Sequence, residues 1–284
     1  MDLRRTVARA VLSPPLSLAD VRRLTGREPA DLTGRLVLIT GASSGIGETA
    51  ATLLAGHGAE IIVVARDYER LQAVCDSITA AGGTAHPISA DLTDADGVDA
   101  LVGEVLDSFG VPDVLVNNAG RSIRRNVLDT VDRFHDYERT MTINYFGAVR
   151  LTTALLPAMV ERGEGQIVNV VTWGVTAGAM PRFAAYHASK SALAAFGRSL
   201  DAELAGTGVT VTNLGFPLVR TPMIAPTADY DDAPALTSED AAGWILRAIL
   251  TRPAELYPRY AVLLRGISAV SPRSVGALVR RMGI

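Results

Sequence analysis

The chain has 284 residues, 20% of them charged, with a formal net charge of −3. That balance lacks the basic excess of a nucleic-acid binder, so no nucleic-acid partner is expected. The 48% hydrophobic content supplies a sizeable core, and a single cysteine, Cys75, rules out an internal disulfide and points to a reducing, cytoplasmic compartment.

Residues 1–32 read as an irregular or helical N-terminal extension broken by Pro14 and Pro15. Its apolar run is short and has no clear cleavage site, so no signal peptide is expected. No run of about 18 apolar residues without charge is present, so no membrane-spanning helix is expected. From Arg35 onward, short apolar runs alternate with helical patterns. Strands are predicted at 36–40, 61–65, 85–89, 113–117, 166–171 and 209–214. Helices are predicted at 45–56, 67–81, 94–108, 132–161, 183–205 and 238–251. The strands are apolar throughout rather than alternating, as in a parallel sheet covered on both faces. The expected fold is α/β: a Rossmann-like, doubly wound parallel sheet in one domain over 33–255, followed by a basic amphipathic tail over 256–284.

The first strand runs into "TGASSGIG", residues 40–47. Glycines here permit a tight turn and let backbone amides at the helix N-terminus approach a pyrophosphate. Gly41, Ser43, Ser44, Gly45, Ile46 and Gly47 are therefore candidate dinucleotide-binding residues. The second strand ends in "VVARD". An acidic residue at its tip would accept ribose hydroxyls and repel a 2′-phosphate. Arg66 stands there instead and suits a phosphate, which favours NADP(H). Asp67 keeps NAD(H) open, as does an ordinary surface role for Arg66 and Arg70 beside Asp67 and Glu69.

Together "TGASSGIG", "ADL" (90–92), "NNAG" (117–120), Asn144 in "INYFG", "IVNV" and "YHASK" (186–190) resemble the short-chain dehydrogenase/reductase family over about 34–225. The resemblance implies a tyrosine-based hydride-transfer site. It also implies that Asp91 and Leu92 lie at the adenine and that Asn118, Ala119 and Gly120 line the cofactor. Longer strings, among them "NNAGRSIRR", "DRFHDYERTM" and "PRFAAYHASKSALAAF", look like the bacterial fatty acyl-CoA reductases of this family.

Lys190 is the only lysine beside 26 arginines. It lies one helical turn after Tyr186, so the two side chains share a face. A nearby ammonium is expected to lower the phenol's pKa toward the working range of an acid–base catalyst. By resemblance Lys190 and Tyr186 also contact the cofactor. A compact ammonium fits that place, and the wide guanidinium fork does not. By resemblance a serine would assist from the end of the fifth strand, and Thr172 stands there, one position further from Tyr186 than is usual. That spacing suggests one inserted residue within 173–180, and Thr176 is the second candidate. Also by resemblance, Asn144 holds a water that relays protons to Lys190. The other reading of Asn144 is a buried helix residue satisfied by backbone.

On the substrate side, Arg121, Arg124 and Arg125 could meet coenzyme A phosphates or form a solvated turn. The proline-punctuated stretch 217–237 is predicted to cover the substrate. The tail carries Arg259, Arg265, Arg273, Arg280 and Arg281 without an acid, so either a membrane surface or a neighbouring subunit is its expected contact. The expected activity is NADPH-dependent reduction of fatty acyl-CoA or another acyl thioester to aldehyde, or of an aldehyde to alcohol, in a homo-oligomer. The alternatives are an oxidoreductase of another hydrophobic substrate, such as a steroid or polyketide, and a catalytically weak NADP-binding regulatory protein. No metal site is expected.

Overall fold

A computed structural model describes residues 11–15, 20, 31–225, 230 and 233–281. Seven parallel strands form one sheet in the order β3-β2-β1-β4-β5-β6-β7. They are β1 (Leu36–Thr40), β2 (Glu60–Ala65), β3 (Thr84–Ser89), β4 (Val114–Asn117), β5 (Gly165–Thr172), β6 (Val209–Phe216) and β7 (Glu255–Leu256). The helices are α1 (Gly45–Gly56), α2 (Tyr68–Ala80), α3 (Ala95–Ser108), α4 (His135–Met141), α5 (Ala148–Arg162), α6 (Gly174–Ala177), α7 (Ala184–Glu203), α8 (Ser238–Thr251), α9 (Arg259–Val270) and α10 (Pro272–Arg281). The six predicted strands are present. The seventh, only two residues long and containing Glu255, was not predicted because it carries no apolar run.

Alternation along each strand explains the two-sided core. Val37, Ile39, Ile61 and Val63 face α1, α2 and α8, in a cluster with Leu54, Leu71 and Ile245. Leu38, Ile62, Val64 and Leu115 face the other layer, with Leu101, Leu155 and Leu200 from α3, α5 and α7. Burying each such side chain contributes roughly 1.5–3 kcal/mol, so the apolar strands hold both helix layers. Cys75 is buried in the first cluster. Burial pushes its thiol up to about 11, which keeps it an unreactive core residue.

α4 and α5 are joined by a wide π-helical turn, Thr142–Gly147. The combined helix, His135–Arg162, is long and apolar enough to cross a bilayer by length and composition alone. Leu151, Leu155 and Met159 are nevertheless fully buried in the core under the sheet.

A row of asparagines crosses the sheet interior. Asn117, Asn169 and Asn213 pair in register on β4, β5 and β6. Asn117 Nδ2 donates to Asn169 Oδ1 at 2.9 Å and to Thr152 Oγ1 at 2.9 Å. Asn213 Nδ2 donates to Ala194 O at 3.0 Å, which ties the row to α7.

The tail does not hang off the sheet. Ala261, Leu264, Val275 and Val279 are buried in a third cluster with Trp173, Met180 and Phe183. Most of the N-terminal extension lies outside the described residues. Its described parts are fastened by Arg247, which donates to Asp20 Oδ1 at 2.7 Å and to Pro15 O at 2.5 Å, and by Arg259 N, which donates to Ser13 O at 3.1 Å.

Candidate active site

The carboxyl ends of β1, β2 and β4 open into a cleft of about 1150 Å³. It is walled by the glycine turn, Arg66, Asp91, Leu92 and Asn118 to Gly120. The sheet order reverses between β1 and β4, and that crevice is where open α/β sheets take ligands. Gly41 and Gly45 have φ of +66° and +59°, which favours glycine at both. A Cβ on Gly47 would lie 2.4 Å from Gly41 O, so only glycine lets the helix start this close to the turn. Asn118 Nδ2 donates to Thr40 O at 2.9 Å, and Thr40 Oγ1 accepts from Asn118 N and Ala119 N at 3.1 and 3.0 Å. These bonds lock "NNAG" against the turn. The Ser44 side chain makes no capping bond, so the first amides of α1 stay turned to the cleft.

Asp67 caps α2, accepting from Arg70 N at 3.2 Å, and pairs with Arg70 Nε at 3.3 Å. Arg66 and Arg70 line this end of the cleft beside that one carboxylate, so two guanidinium groups face it together with Asp67. Asp91 Oδ1 accepts from Thr93 N and Thr93 Oγ1 at 2.9 and 2.8 Å, which, with nearby Arg66, holds its carboxyl below the usual range. The uncapped amides and the close approach allowed by Gly47 fit the pyrophosphate of a dinucleotide.

α7 carries both sequence-predicted groups. Lys190 is buried, and its Nζ donates to Val170 O at 2.7 Å. Burial lowers its pKa to about 8. A Cβ on Gly120 would come within 3.2 Å of Nζ, so the "NNAG" loop closes directly over this ammonium. The Tyr186 phenol does not follow the expected direction. Burial pushes it up to about 12, against a hydrogen bond from Thr172 that pulls it down. Desolvation outweighs the pull of Thr172, and nearby Tyr230 adds to the rise. Thr172 lies beside the phenol, with its Oγ1 also donating to Met180 Sδ at 3.8 Å. The Thr176 hydroxyl instead lies 2.8 Å from Trp173 O and 3.1 Å from Ala261 O, its one proton shared between the two carbonyls. Asn144 is buried in the π-helical turn and fully engaged. Its Oδ1 accepts from Arg121 N at 2.8 Å, and its Nδ2 donates to Arg121 O and Ser189 Oγ, both at 2.9 Å. Its side chain therefore joins the "NNAG" loop to α7, as in the satisfied-asparagine reading. A water relay at this position would have to use its backbone carbonyl.

Beyond Tyr186 lies a second pocket of about 990 Å³, lined by Trp173, Phe183, Phe216, Ile224, Tyr260 and Leu264. Gly120, Arg121, Thr221 and Met223 line both cavities, so the two are continuous. The extended 173–180 loop folds into α6, which anchors α9 through Thr176 and α7 through a 2.9 Å contact of His187 Nε2 with Gly174 O. Tyr260 and Leu264 were not identified from sequence. The only hint was the aromatic and apolar content of "LYPRYAVLL". The three arginines separate. Arg125 is bound to buried Asp136, whose carboxyl is held low by Arg133, Arg125 and His135 despite its burial. Arg124 packs 5.4 Å over the Tyr230 ring in the pocket wall. Arg121 alone is exposed where the cavities meet. The predicted covering loop is pinned at its base by an Arg220 N to Leu236 O bond of 2.9 Å; residues 226–229 and 231–232 lie outside the described residues.

A short chain dehydrogenase family model matches residues 35–231. A protein named fatty acyl-CoA reductase from Mycobacterium tuberculosis is 46% identical, covering 98% of this chain and 95% of that one. Another of that name from Acinetobacter baylyi is 48% identical over 85% of this chain and 82% of its own. Among solved structures, L-sorbose reductase from Gluconobacter frateurii, complexed with NADPH and L-sorbose, has a TM-score of 0.71 at 27% identity, covering 80% and 93% of the two chains. A short-chain type dehydrogenase/reductase from Mycobacterium marinum gives 0.73 at 28% identity over 80% and 94%.

Proposed function

This chain belongs to the short-chain dehydrogenase/reductase family of oxidoreductases, and from that premise we propose that it reduces fatty acyl thioesters, fatty acyl-CoA among them, to aldehydes with NADPH. The observation that carries the reading is the apolar pocket. It ends at Tyr186 and Thr172 and is continuous with the dinucleotide cleft. A cavity walled by Trp173, Phe183, Tyr260 and Leu264 suits an alkyl chain and offers little to a sugar.

NADPH, when bound, supplies the hydride. The amides of the glycine turn and Arg66 hold its phosphates, and Lys190, with donors to spare beyond Val170 O, reaches its ribose hydroxyls. Tyr186 is protonated at neutral pH, as an ordinary phenol is, and can give a proton to the substrate's carbonyl oxygen. Thr172 hydrogen-bonds at the same point and orients the carbonyl. The hemithioacetal formed on the substrate then breaks its C–S bond, leaving aldehyde and free thiol. No enzyme thiol takes part, consistent with the buried Cys75.

The test is NADPH oxidation with long-chain acyl-CoA while free thiol is titrated. Equal amounts of thiol released and NADPH consumed support the reading. Oxidation with ketones or aldehydes alone, without thiol, would assign the pocket to another hydrophobic carbonyl substrate.

A further inference from the structure

α9 is apolar on both sides. Inward, Ala261 and Leu264 are buried. Outward, Val262, Leu263, Ile267 and Val270 are 48%, 67%, 43% and 88% exposed. At helical spacing these four share the outer half of α9. Helices apolar all round are normally covered on every side. Leu263 also lines the mouth of the apolar pocket, with Val11, Met223 and Leu278, so the exposed face runs into the pocket rim. Basic charge surrounds it. Arg259, Arg273, Arg280 and Arg281 are exposed, and residues 257–281 contain no acid. Among the described residues none of these four is ion-paired, whereas Arg265 pairs with Glu255 at 2.6 Å.

We infer that the outer face of α9 and α10 docks on an anionic lipid bilayer. An apolar ridge flanked by unopposed guanidinium groups matches an interface of acyl chains beneath negative headgroups. A second copy fits less well, because a two-fold contact through this face brings the same arginines toward one another. Docking itself does not depend on the acyl-thioester reading. It adds that, if that reading holds, a chain-like substrate passes from lipid to pocket without crossing water.

The test is co-sedimentation of the full chain with vesicles of phosphatidylcholine, alone or mixed with phosphatidylglycerol. Binding to the mixed vesicles is expected, at least about tenfold weaker on the neutral ones and in high salt. Val262→Asp combined with Val270→Asp touches neither pocket nor core and is expected to abolish it. Arg273→Gln, Arg280→Gln and Arg281→Gln together should weaken it about a hundredfold. Unchanged thermal unfolding, and unchanged NADPH oxidation with a soluble short-chain acyl thioester, would show both variants intact. Absence of binding to phosphatidylglycerol vesicles overturns the inference, as does binding that both variants retain. A solution dimer split by Val262→Asp with Val270→Asp also overturns it and gives the face to a second copy. Lipid binding without any acyl-thioester reduction would remove the proposed function and leave docking standing.

Discussion

The two halves of the active cleft are assembled differently. The dinucleotide half comes from short contiguous motifs at the ends of β1, β2 and β4, where backbone amides and glycines do most of the work. The substrate half is gathered from distant segments: Thr172 and Trp173 after β5, Phe183 and Tyr186 at the start of α7, the loop after β6, and α9. One half is polar and set by backbone geometry; the other is apolar and set by side-chain packing. A motif can therefore specify the first, while only the folded chain specifies the second.

Substitutions at the junction should have the largest effects. Tyr186→Phe should lower kcat by about 10³-fold while leaving NADPH binding measurable by fluorescence titration, because it removes the proton donor alone. Lys190→Arg keeps the charge but not the compact shape and should lose most turnover; near-normal activity would sink its assigned role. Next in size, Thr172→Ala should reduce kcat about a hundredfold and Thr172→Ser far less, whereas Thr176→Ser should leave kcat alone. If Thr176 proved the more sensitive, the boundary drawn between catalytic and anchoring hydroxyls would move. Within the dinucleotide half, Arg66→Ala should raise KM for NADPH about tenfold and leave that for NADH unchanged, since only the extra phosphate loses a charged partner.

A pH series sharpens the same division. Lys190, with its pKa lowered to about 8, loses its ammonium above that value. The kcat/KM for reduction, which reports the free enzyme, should fall as pH rises past about 8. Stability should move the other way. Between about 8 and the ordinary lysine value the unfolded chain binds the extra proton, so unfolding becomes harder as pH rises through that window. Tyr186 is raised from 10.0 to about 12, so over that interval the folded chain holds the extra proton and stability falls with rising pH. The smallest effect belongs to the pocket wall: Leu264→Phe should shorten the preferred acyl chain by a few carbons, read from KM across a chain-length series.

The sheet, the glycine turn and the placement of Tyr186 beside Lys190 could all be read from sequence. Burial pattern and helical spacing are local properties that survive folding unchanged. The direction of the Tyr186 shift could not, because it depends on how much water the C-terminal helices and the "NNAG" loop exclude. Nor could the fate of Arg125, whose partner Asp136 reaches it only across a turn of chain. Thr176 is tied partly to Ala261, 85 positions away, which no local pattern announces. The two-residue β7 carries too little pattern to stand out from a loop.

The isolation of Lys190 has a further consequence for handling the molecule. A protease that cuts only after lysine meets a single susceptible bond in all 284 residues. That bond lies within α7, beside a side chain that is 3% exposed. Cleavage therefore requires the catalytic helix to open, and it yields two fragments of predictable size. The rate at which they appear counts openings of the active site directly, and anything that binds across Tyr186 and Lys190 should slow it.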